Sequence, residues 1–254
     1  MAPTGSGGFT GSSGHAPWVR LSHWLGAASL ITLAFTGFVI LMAHPRLYWG
    51  EAGNDLTAPL IELPVSRNYR HGGYEVRTSA FPHGAHAVSA VRTYDIFNKN
   101  GWARSLHFLA AWLLLATGIA YLAAALAGGH LRRNVLPRAG ELRRQLLWQD
   151  IRAHLAHVPP ARGGPPYNLL QKLAYSVVLL VFAPLMVISG LAMSPAINAA
   201  YPFLAALFGG SQSARTVHFL CFTVLVSFLV VHVVMVVLSG FGRQMRAMTL
   251  GRSP

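Results

Sequence analysis

Apolar residues dominate four long stretches of this chain, and each stretch is free of Asp, Glu, Lys and Arg. They run over residues 24–43, 106–127, 173–193 and 217–238. A helix needs about 20 consecutive apolar residues to cross the hydrocarbon core of a bilayer, and every one of these stretches is long enough. The pattern therefore predicts four membrane-spanning helices, over about residues 20–43, 104–127, 169–193 and 214–240.

Two further segments have patterns of their own. Pro195 to Phe208 is apolar but too short to span and contains Pro202, which predicts an interfacial or re-entrant connection. Residues 141–158 repeat apolar side chains near helical spacing, with arginines on the other face and a tryptophan among them. This pattern predicts an amphipathic helix, either on the membrane surface or as a solvated loop helix.

Composition agrees with a membrane protein, because 53% of the 254 residues are hydrophobic. The first 17 residues are rich in Gly, Ser, Thr and Pro, which predicts a disordered tail before one membrane domain over residues 18–242 and a C-terminal tail over 243–254. The single cysteine, Cys221, excludes an internal disulfide, a CxxCH haem-attachment site and a cysteine-ligated iron–sulfur cluster. The four predicted spans make the fold class all-α, with a four-helix transmembrane bundle.

The charge distribution predicts the orientation. Residues 128–172 carry eight Lys and Arg against two acids, whereas the long loop over residues 44–103 carries six against five. Because positively charged segments stay in the cytoplasm, we expect both termini and the 128–168 loop there and the 44–103 loop outside. The net charge of +13 then reflects this topology and attraction to anionic membrane lipid, not nucleic-acid binding. The outer loop is longer than a connection requires, so we expect it to be a docking surface for a partner.

Four histidines lie within or at the edge of the predicted spans: His23, His107, His218 and His232. Ionisable residues in spans usually face the bundle interior. The fourteen residues between His218 and His232 correspond to roughly 21 Å along a helix with only about 40° of rotation. Because consecutive spans run in opposite directions, His23 matches the depth of His232, and His107 matches that of His218.

Two facing imidazole pairs, one near each membrane surface, are what two bis-histidine b haems require, because haem iron takes axial ligands from opposite sides of the porphyrin. Zinc would need three or four ligands converging on one point, and no Cys, Asp or Glu is near enough in the pattern to supply them. We therefore predict two haem b groups, one held by His23 and His232 and the other by His107 and His218.

An arginine precedes three of these histidines by three residues, in RLSH, RSLH and RTVH. At this spacing Arg20, Arg104 and Arg215 share a helix face with the histidine and lie one turn nearer the headgroups. Guanidinium is the preferred bidentate partner of a carboxylate, so we predict contacts with haem propionates; snorkelling at span ends is the alternative. Gly37 and Gly118 lie on nearly the same faces as His23 and His107, where a missing side chain would let a porphyrin edge approach, although glycine also serves helix packing.

RxxHW at Arg20, RxxH at Arg104 and RxxHx13H at Arg215 form a recognisable set. The chain resembles the di-haem cytochrome b subunits that anchor bacterial formate dehydrogenases, Ni–Fe hydrogenases and thiosulfate reductases. Within that group it is most similar to the branch paired with periplasmic molybdopterin oxidoreductases. The resemblance covers all four spans and implies the same haem pairs. It also implies a multi-pass protein of the bacterial inner membrane with a periplasmic oxidoreductase subunit or a c-type cytochrome as its partner. The 44–103 loop, on which we expect this partner to dock, departs from the formate dehydrogenase pattern, and so does the extended cytoplasmic loop.

In the formate dehydrogenase members, an Asn and a Gln at the start of the third span lie at a quinone site. The similar YNLLQK here supplies Asn168 and Gln171. The resemblance therefore implies an electron-transfer subunit that exchanges electrons with quinone or quinol, in either direction, for an oxidoreductase complex. A metal or proton permease that uses the histidines as relays is the alternative. It predicts broken helices and carboxylates at the membrane midplane. No Asp or Glu lies in any of the four spans, although Pro184 interrupts the third. A purely structural anchor would leave the paired histidines without a role.

Overall fold

The computed structural model describes residues 16–53, 57–63, 65, 101–129, 131, 135–155 and 169–251. Its helices are α1 (Pro17–Ala43), α2 (Gly101–Ala127), α3 (Arg144–Leu155), α4 (Leu169–Met193), α5 (Pro195–Ala200), α6 (Phe203–Leu207), α7 (Ser211–Leu238) and α8 (Phe241–Thr249). Four of these described helices, α1, α2, α4 and α7, are long and apolar enough to cross a membrane. The predicted all-α fold with four spanning helices is confirmed, and the helix ends lie within three residues of the predicted ones.

The four spans pack closely in two pairs. Helix α1 packs along α2, and the second half of α4 packs along α7. Small residues such as Ala110 on α2 and Ala192 on α4 are buried in the bundle, whereas large apolar residues such as Leu109 and Val231 are mostly exposed. Exposed apolar side chains along a span are expected where a helix faces lipid tails.

Pro184 does not break the third span. Residues Val178–Phe182 form one wide π-helical turn within α4, and regular α-helix resumes from Ala183 to Met193. Proline lacks an N–H and its ring crowds the carbonyl four residues earlier, and a π-turn is one way for a helix to accommodate such a site. The helix therefore continues across the proline with a local change in winding.

The described part of the 44–103 loop is attached to the beginning of α7. Strands β1 (Arg46–Leu47) and β2 (Ile61–Glu62) pair antiparallel. After β1, the Gly50 carbonyl accepts hydrogen bonds from the backbone N–H groups of Gln212 and Ser213, at 3.0 and 3.2 Å. Since the first N–H groups of a helix have no partner within it, this loop caps α7. Residues 66–100, which include His71, His83 and His86, lie outside the described residues.

Helix α3 corresponds to the predicted amphipathic loop helix, and two acidic residues connect this loop to the start of α4. The Asp150 carboxylate accepts a hydrogen bond of 2.7 Å from the backbone N–H of Leu170. Glu141 binds the buried ammonium group of Lys172 at 2.9 Å. A carboxylate at a helix N-terminus is favourable because the helix dipole is positive there. The loop is thus fixed to the third span by charge.

The segments after α4 are helical as well. The apolar segment from Pro195 to Phe208 forms two short helices, α5 and α6, which are separated at Pro202. Helix α8 folds back against the start of α1, where the Trp24 indole N–H donates to the Met248 carbonyl at 3.1 Å. The C-terminal segment is therefore packed near His23.

Candidate functional site

The structure brings His107 and His218 together. Helix α2 carries His107 and α7 carries His218, and their ring centres lie 6.4 Å apart with the ring planes at 60°. Both side chains lie inside the bundle, near the end of α7 that the 44–103 loop caps. This is the facing arrangement that the depth argument predicts for the second and fourth spans, which run in the same direction.

His23 and His232 face each other near the opposite end of α7. Their ring centres are 6.3 Å apart and their planes meet at 53°. Two aromatic rings flank this pair: Trp24 contacts His23 edge-on at 5.1 Å, and Phe228 stacks on His232 at 6.2 Å. The neighbouring histidine and tryptophan of the RxxHW sequence thus lie at the same site.

Hydrogen bonds at Nδ1 orient the rings of the His107–His218 pair. The hydroxyl of Thr36, on α1, lies 2.9 Å from His107 Nδ1. The hydroxyl of Ser189 and the carbonyl of Met186, both on α4, lie 3.1 Å from His218 Nδ1. An imidazole fixed through one ring nitrogen presents the other to a metal. The sequence patterns did not indicate Thr36 or Ser189.

The spacing of both pairs fits one metal ion between two imidazoles. An imidazole nitrogen lies about 1.1 Å from the ring centre and a metal–imidazole bond is about 2.0–2.1 Å long, so ligands on opposite sides of one ion place their ring centres about 6.2–6.4 Å apart. The observed separations are 6.3 and 6.4 Å. Among the described residues there is no cluster of three or more His, Cys, Asp and Glu side chains that could hold a metal ion. Two-ligand binding of haem iron therefore fits these residues better than a zinc site does.

The predicted glycines have different surroundings. A Cβ added at Gly37 would lie 3.5 Å from the His107 ring. Gly37 therefore lies beside the His107–His218 pair, although its own helix, α1, contributes His23 to the other pair. A Cβ at Gly118 would meet no described atom within 4 Å. Gly190, which no sequence pattern indicated, lies closer to a histidine than Gly37 does, because its Cβ would be 3.2 Å from the His218 ring.

The three predicted propionate-binding arginines lie at the two ends of the bundle. Arg20 donates to the Thr249 carbonyl at the end of α8, at 2.9 Å. Its Nε is buried and has no hydrogen-bond partner among the described residues, and a buried donor of this kind suits a carboxylate such as a haem propionate. Arg215 donates to the carbonyl of His44, and Arg104 is exposed nearby.

A cationic group surrounds His44 just beyond the end of α1. Burial lowers the pKa of His44, and the guanidinium groups of Arg215, Arg104 and Arg46 lower it further. Three guanidinium groups that lower the pKa of one histidine in addition to its burial indicate a positive potential at this end of the bundle. Such a potential favours carboxylates close to the His107–His218 pair.

Gln171, the predicted quinone residue that the structure describes, lies on the first turn of α4. Asn168 lies outside the described residues. Tyr175 follows Gln171 by one helical turn, and its ring contacts Phe228 edge-on at 5.9 Å. Since Phe228 stacks on His232, this face of α4 leads to the His23–His232 pair through two aromatic rings.

Four apolar spans that enclose facing imidazole pairs fit a membrane-embedded b-type cytochrome. The chain belongs to the prokaryotic cytochrome b561 family, whose sequence model matches residues 14–251. Proteins of this family are helical membrane bundles that bind haem b. The resemblance to bacterial cytochrome b subunits is confirmed, and the chain is a multi-pass haem b electron-transfer subunit of a bacterial membrane.

One relative is the candidate protein-methionine-sulfoxide reductase subunit YedZ1 of Azospira oryzae. It is 28% identical to this chain over 226 residues, which cover 88% of this chain and 90% of that protein. The similarity therefore extends over nearly the whole length of both proteins.

Proposed function

We propose that this chain binds two haem b groups and conducts electrons across the membrane between the quinone pool and an oxidoreductase partner. The observation that carries the proposal is the pair of facing histidines at each end of α7, with ring centres 6.3 and 6.4 Å apart. The fourteen residues from His218 to His232 separate the two pairs by roughly 21 Å along the helix. Two redox groups at different depths are what a transmembrane conduit requires.

In this proposal His23 and His232 ligate one haem, and His107 and His218 ligate the other. Each bound haem supplies a one-electron iron couple. The side chains of the bundle hold the ligands, keep water away from them and supply cations for the propionates. Arg20 serves the His23–His232 site, and Arg104 and Arg215 serve the His107–His218 site.

We place quinone exchange at the start of α4, beside the His23–His232 pair. Gln171 and Tyr175 share a helix face, and the contacts from Tyr175 to Phe228 to His232 connect that face to the haem ligand. Asn168 completes the proposed site. An amide side chain can donate to a quinone carbonyl or accept from a quinol hydroxyl, so Gln171 can bind either redox form.

We place the partner on the 44–103 loop, outside the membrane, with both termini in the cytoplasm. The excess of basic residues in the 128–172 segment supports this orientation. The loop is well placed for coupling because Tyr48 and Gly50 bind the first turns of α7, which carries His218. Trp49, between them in the chain, is 62% exposed. The relative YedZ1 is named as a subunit of a reductase, which supports an oxidoreductase partner.

The test is electron exchange between the purified cytochrome and a soluble quinone analogue under anaerobic conditions. We expect the quinol to reduce the haem iron, or the quinone to reoxidise the dithionite-reduced protein, according to the relative potentials of the haems and the quinone. The haem absorbance bands follow either reaction. Gln171→Ala should slow this exchange at least tenfold, whereas Gln145→Ala, on the exposed face of α3, should match the unaltered protein. A cytochrome that dithionite reduces but that exchanges electrons with neither quinone nor quinol would contradict the proposed role.

A further inference from the structure

Two spans carry the same small motif at the positions that contact the His107–His218 pair: a hydroxyl residue followed by glycine. On α1 the motif is Thr36–Gly37 and on α4 it is Ser189–Gly190. Thr36 and Ser189 are completely buried. Each hydroxyl contacts a histidine Nδ1, and each glycine lies beside the same ring as its hydroxyl neighbour. The two helices thus hold the two imidazoles in an equivalent way.

The contacts of His218 specify its tautomer. The Met186 carbonyl can only accept a hydrogen bond, so His218 Nδ1, 3.1 Å away, must carry a proton. The Ser189 hydroxyl donates its own proton to the same carbonyl at 3.1 Å and therefore accepts from Nδ1. With the proton on Nδ1, the lone pair of neutral His218 is on Nε2, as metal ligation through that nitrogen requires.

His107 has the same tautomer for a related reason. The Thr36 hydroxyl donates to the Thr32 carbonyl at 2.8 Å, one helical turn back. The carbonyl of Leu33 lies near the same hydroxyl, at 3.4 Å. A hydroxyl has one proton, and here the helix carbonyls take it, so the contact with His107 is a hydrogen bond only if Nδ1 donates to Thr36. Thr36 is the one acceptor at this nitrogen among the described residues, whereas His218 has two.

The glycines bring the helix backbones close to the rings. An added Cβ at Gly190 would be 3.2 Å from the His218 ring, and one at Gly37 would be 3.5 Å from the His107 ring. A Cβ at Gly190 would press on the imidazole of His218, whereas one at Gly37 would reach ordinary contact distance from the imidazole of His107. The hydroxyl and the glycine therefore act together on one ring.

We propose that Thr36–Gly37 and Ser189–Gly190 are positioning residues that hold His107 and His218 in the ligating tautomer, and that their hydroxyls lower the reduction potential of this haem alone. This rests on the proposed two-haem function. An acceptor at Nδ1 strengthens the donation of the imidazole to iron and favours the ferric state, so removal of the acceptor should raise the potential. The effect should be larger at Thr36 than at Ser189, because the Met186 carbonyl remains as a partner of His218.

The experiment is a potentiometric titration of Thr36→Val in the purified full-length protein. The substitution keeps the shape of the side chain and removes the acceptor. Thr223→Val is the matched control, since the exposed Thr223 on α7 makes the same bond to the carbonyl one turn back, at 3.0 Å, but contacts neither histidine pair. We expect one haem of Thr36→Val to become easier to reduce by up to about tenfold, which is about 59 mV for a one-electron couple, and the other haem to be unchanged.

Further variants determine whether the hydroxyl is the cause. Thr36→Ser keeps the acceptor and should restore the original potential, whereas Ser189→Ala should shift the same haem by less than Thr36→Val does. Ser227→Ala is the control for Ser189→Ala, because the exposed Ser227 on α7 also donates to a carbonyl of its own helix, that of Thr223, at 2.8 Å. Loss of one haem in Thr36→Val, with both retained in Thr36→Ser and Thr223→Val, would also support the role. Unchanged potentials in Thr36→Val, or equal shifts in both haems, would overturn it. If the unaltered protein bound no second haem, the two-haem function itself would fail, and this is visible before any variant is made.

Discussion

His23 and His232 lie near opposite ends of the chain, yet their imidazoles face each other with 6.3 Å between ring centres. His232 shares helix α7 with His218, whose ring faces His107 at 6.4 Å. One helix therefore supplies a member of each pair. This relationship makes the two sites separable by single substitutions on the same helix.

The first prediction concerns those substitutions. His232→Ala should reduce the haem content from two to one per chain, with loss of the haem at the His23–His232 site, and His218→Ala should remove the other haem. Extracted haem per chain and reduced-minus-oxidised spectra measure this. His44→Ala is the control, because His44 contributes its backbone carbonyl to Arg215 and is not in either pair. If each substitution removed both haems or neither, the assignment of ligands would be wrong.

The second prediction concerns Arg20. Arg20→Gln should weaken haem retention about tenfold, because a hydrogen bond to a charged group contributes about 1.5–3 kcal/mol and the buried Arg20 Nε is available to a propionate. The rate of haem transfer to an apoprotein acceptor measures this. Arg243→Gln, an exposed change on the neighbouring α8, should retain haem normally. Equal transfer rates for the two variants would assign Arg20 to the support of α8 alone.

The third prediction concerns the glycines beside the rings. Gly190→Ala should destabilise the protein by about 1–3 kcal/mol, the usual cost of overpacking, and should alter the spectrum of one haem, because the new Cβ would press on His218. Gly37→Ala should have a smaller effect, since its Cβ would reach ordinary contact distance from His107. Thermal melting and low-temperature visible spectra compare the two. A larger effect at Gly37 would contradict the packing described above.

A substitution at Gly118 tests whether the porphyrin edge approaches α2. A Cβ there would touch no described atom of the chain, so Gly118→Ala should not destabilise the protein before haem binds. If the porphyrin edge lies against this glycine, haem affinity should fall by about tenfold, a typical effect of a changed contact around a metal site. Haem titration of the haem-depleted protein measures the change. Unchanged affinity would leave Gly118 a helix-packing residue.

The fourth prediction concerns the pair that fixes the loop to α4. The hydrogen bond from Lys172 holds the pKa of Glu141 below its ordinary 4.5, and the backbone N–H of Arg138 contributes in the same direction. A carboxyl with a lowered pKa contributes stability above its unfolded value, and this contribution is lost as the pH falls through the folded pKa. Glu141→Gln should therefore lower the melting temperature at pH 7, and the difference from the unaltered protein should shrink as the pH falls below 4.5.

The pH series includes its own control. Lys172→Met removes the buried charge, so Glu141→Gln should cost little in that background. A constant difference between Glu141→Gln and the unaltered protein from pH 7 to pH 4 would show that this carboxylate contributes no pH-dependent stability.

The histidine pairing could be predicted because it depends only on helix geometry. The rise and rotation per residue fix the relation of His218 to His232, and the alternating direction of spans fixes which partners share their depth. The contacts of Thr36 and Ser189 depend instead on how each helix is rotated against its neighbour. Helix α4 carries no histidine, so no spacing pattern pointed to Ser189 or Gly190.

Contacts between residues far apart in the chain could not be predicted from the sequence patterns either. Residues 243–254 were predicted to be a tail, but α8 occupies Phe241–Thr249 and binds Arg20 and Trp24 of α1. The ion pair of Lys172 with Glu141 could not be predicted either, because in the sequence each residue counted only toward the charge of its segment. Only the folded chain shows that one acid of the loop neutralises a lysine at the start of a span.

The amount of non-covalent haem b bound per chain in the unaltered protein, purified from cells supplied with haem, tests the two-haem conduit most directly. We predict two haems per chain, both reducible, with a low-spin b-type spectrum. A single haem per chain would contradict the assignment of two bis-histidine sites, and complete absence of haem would contradict the proposed conduit.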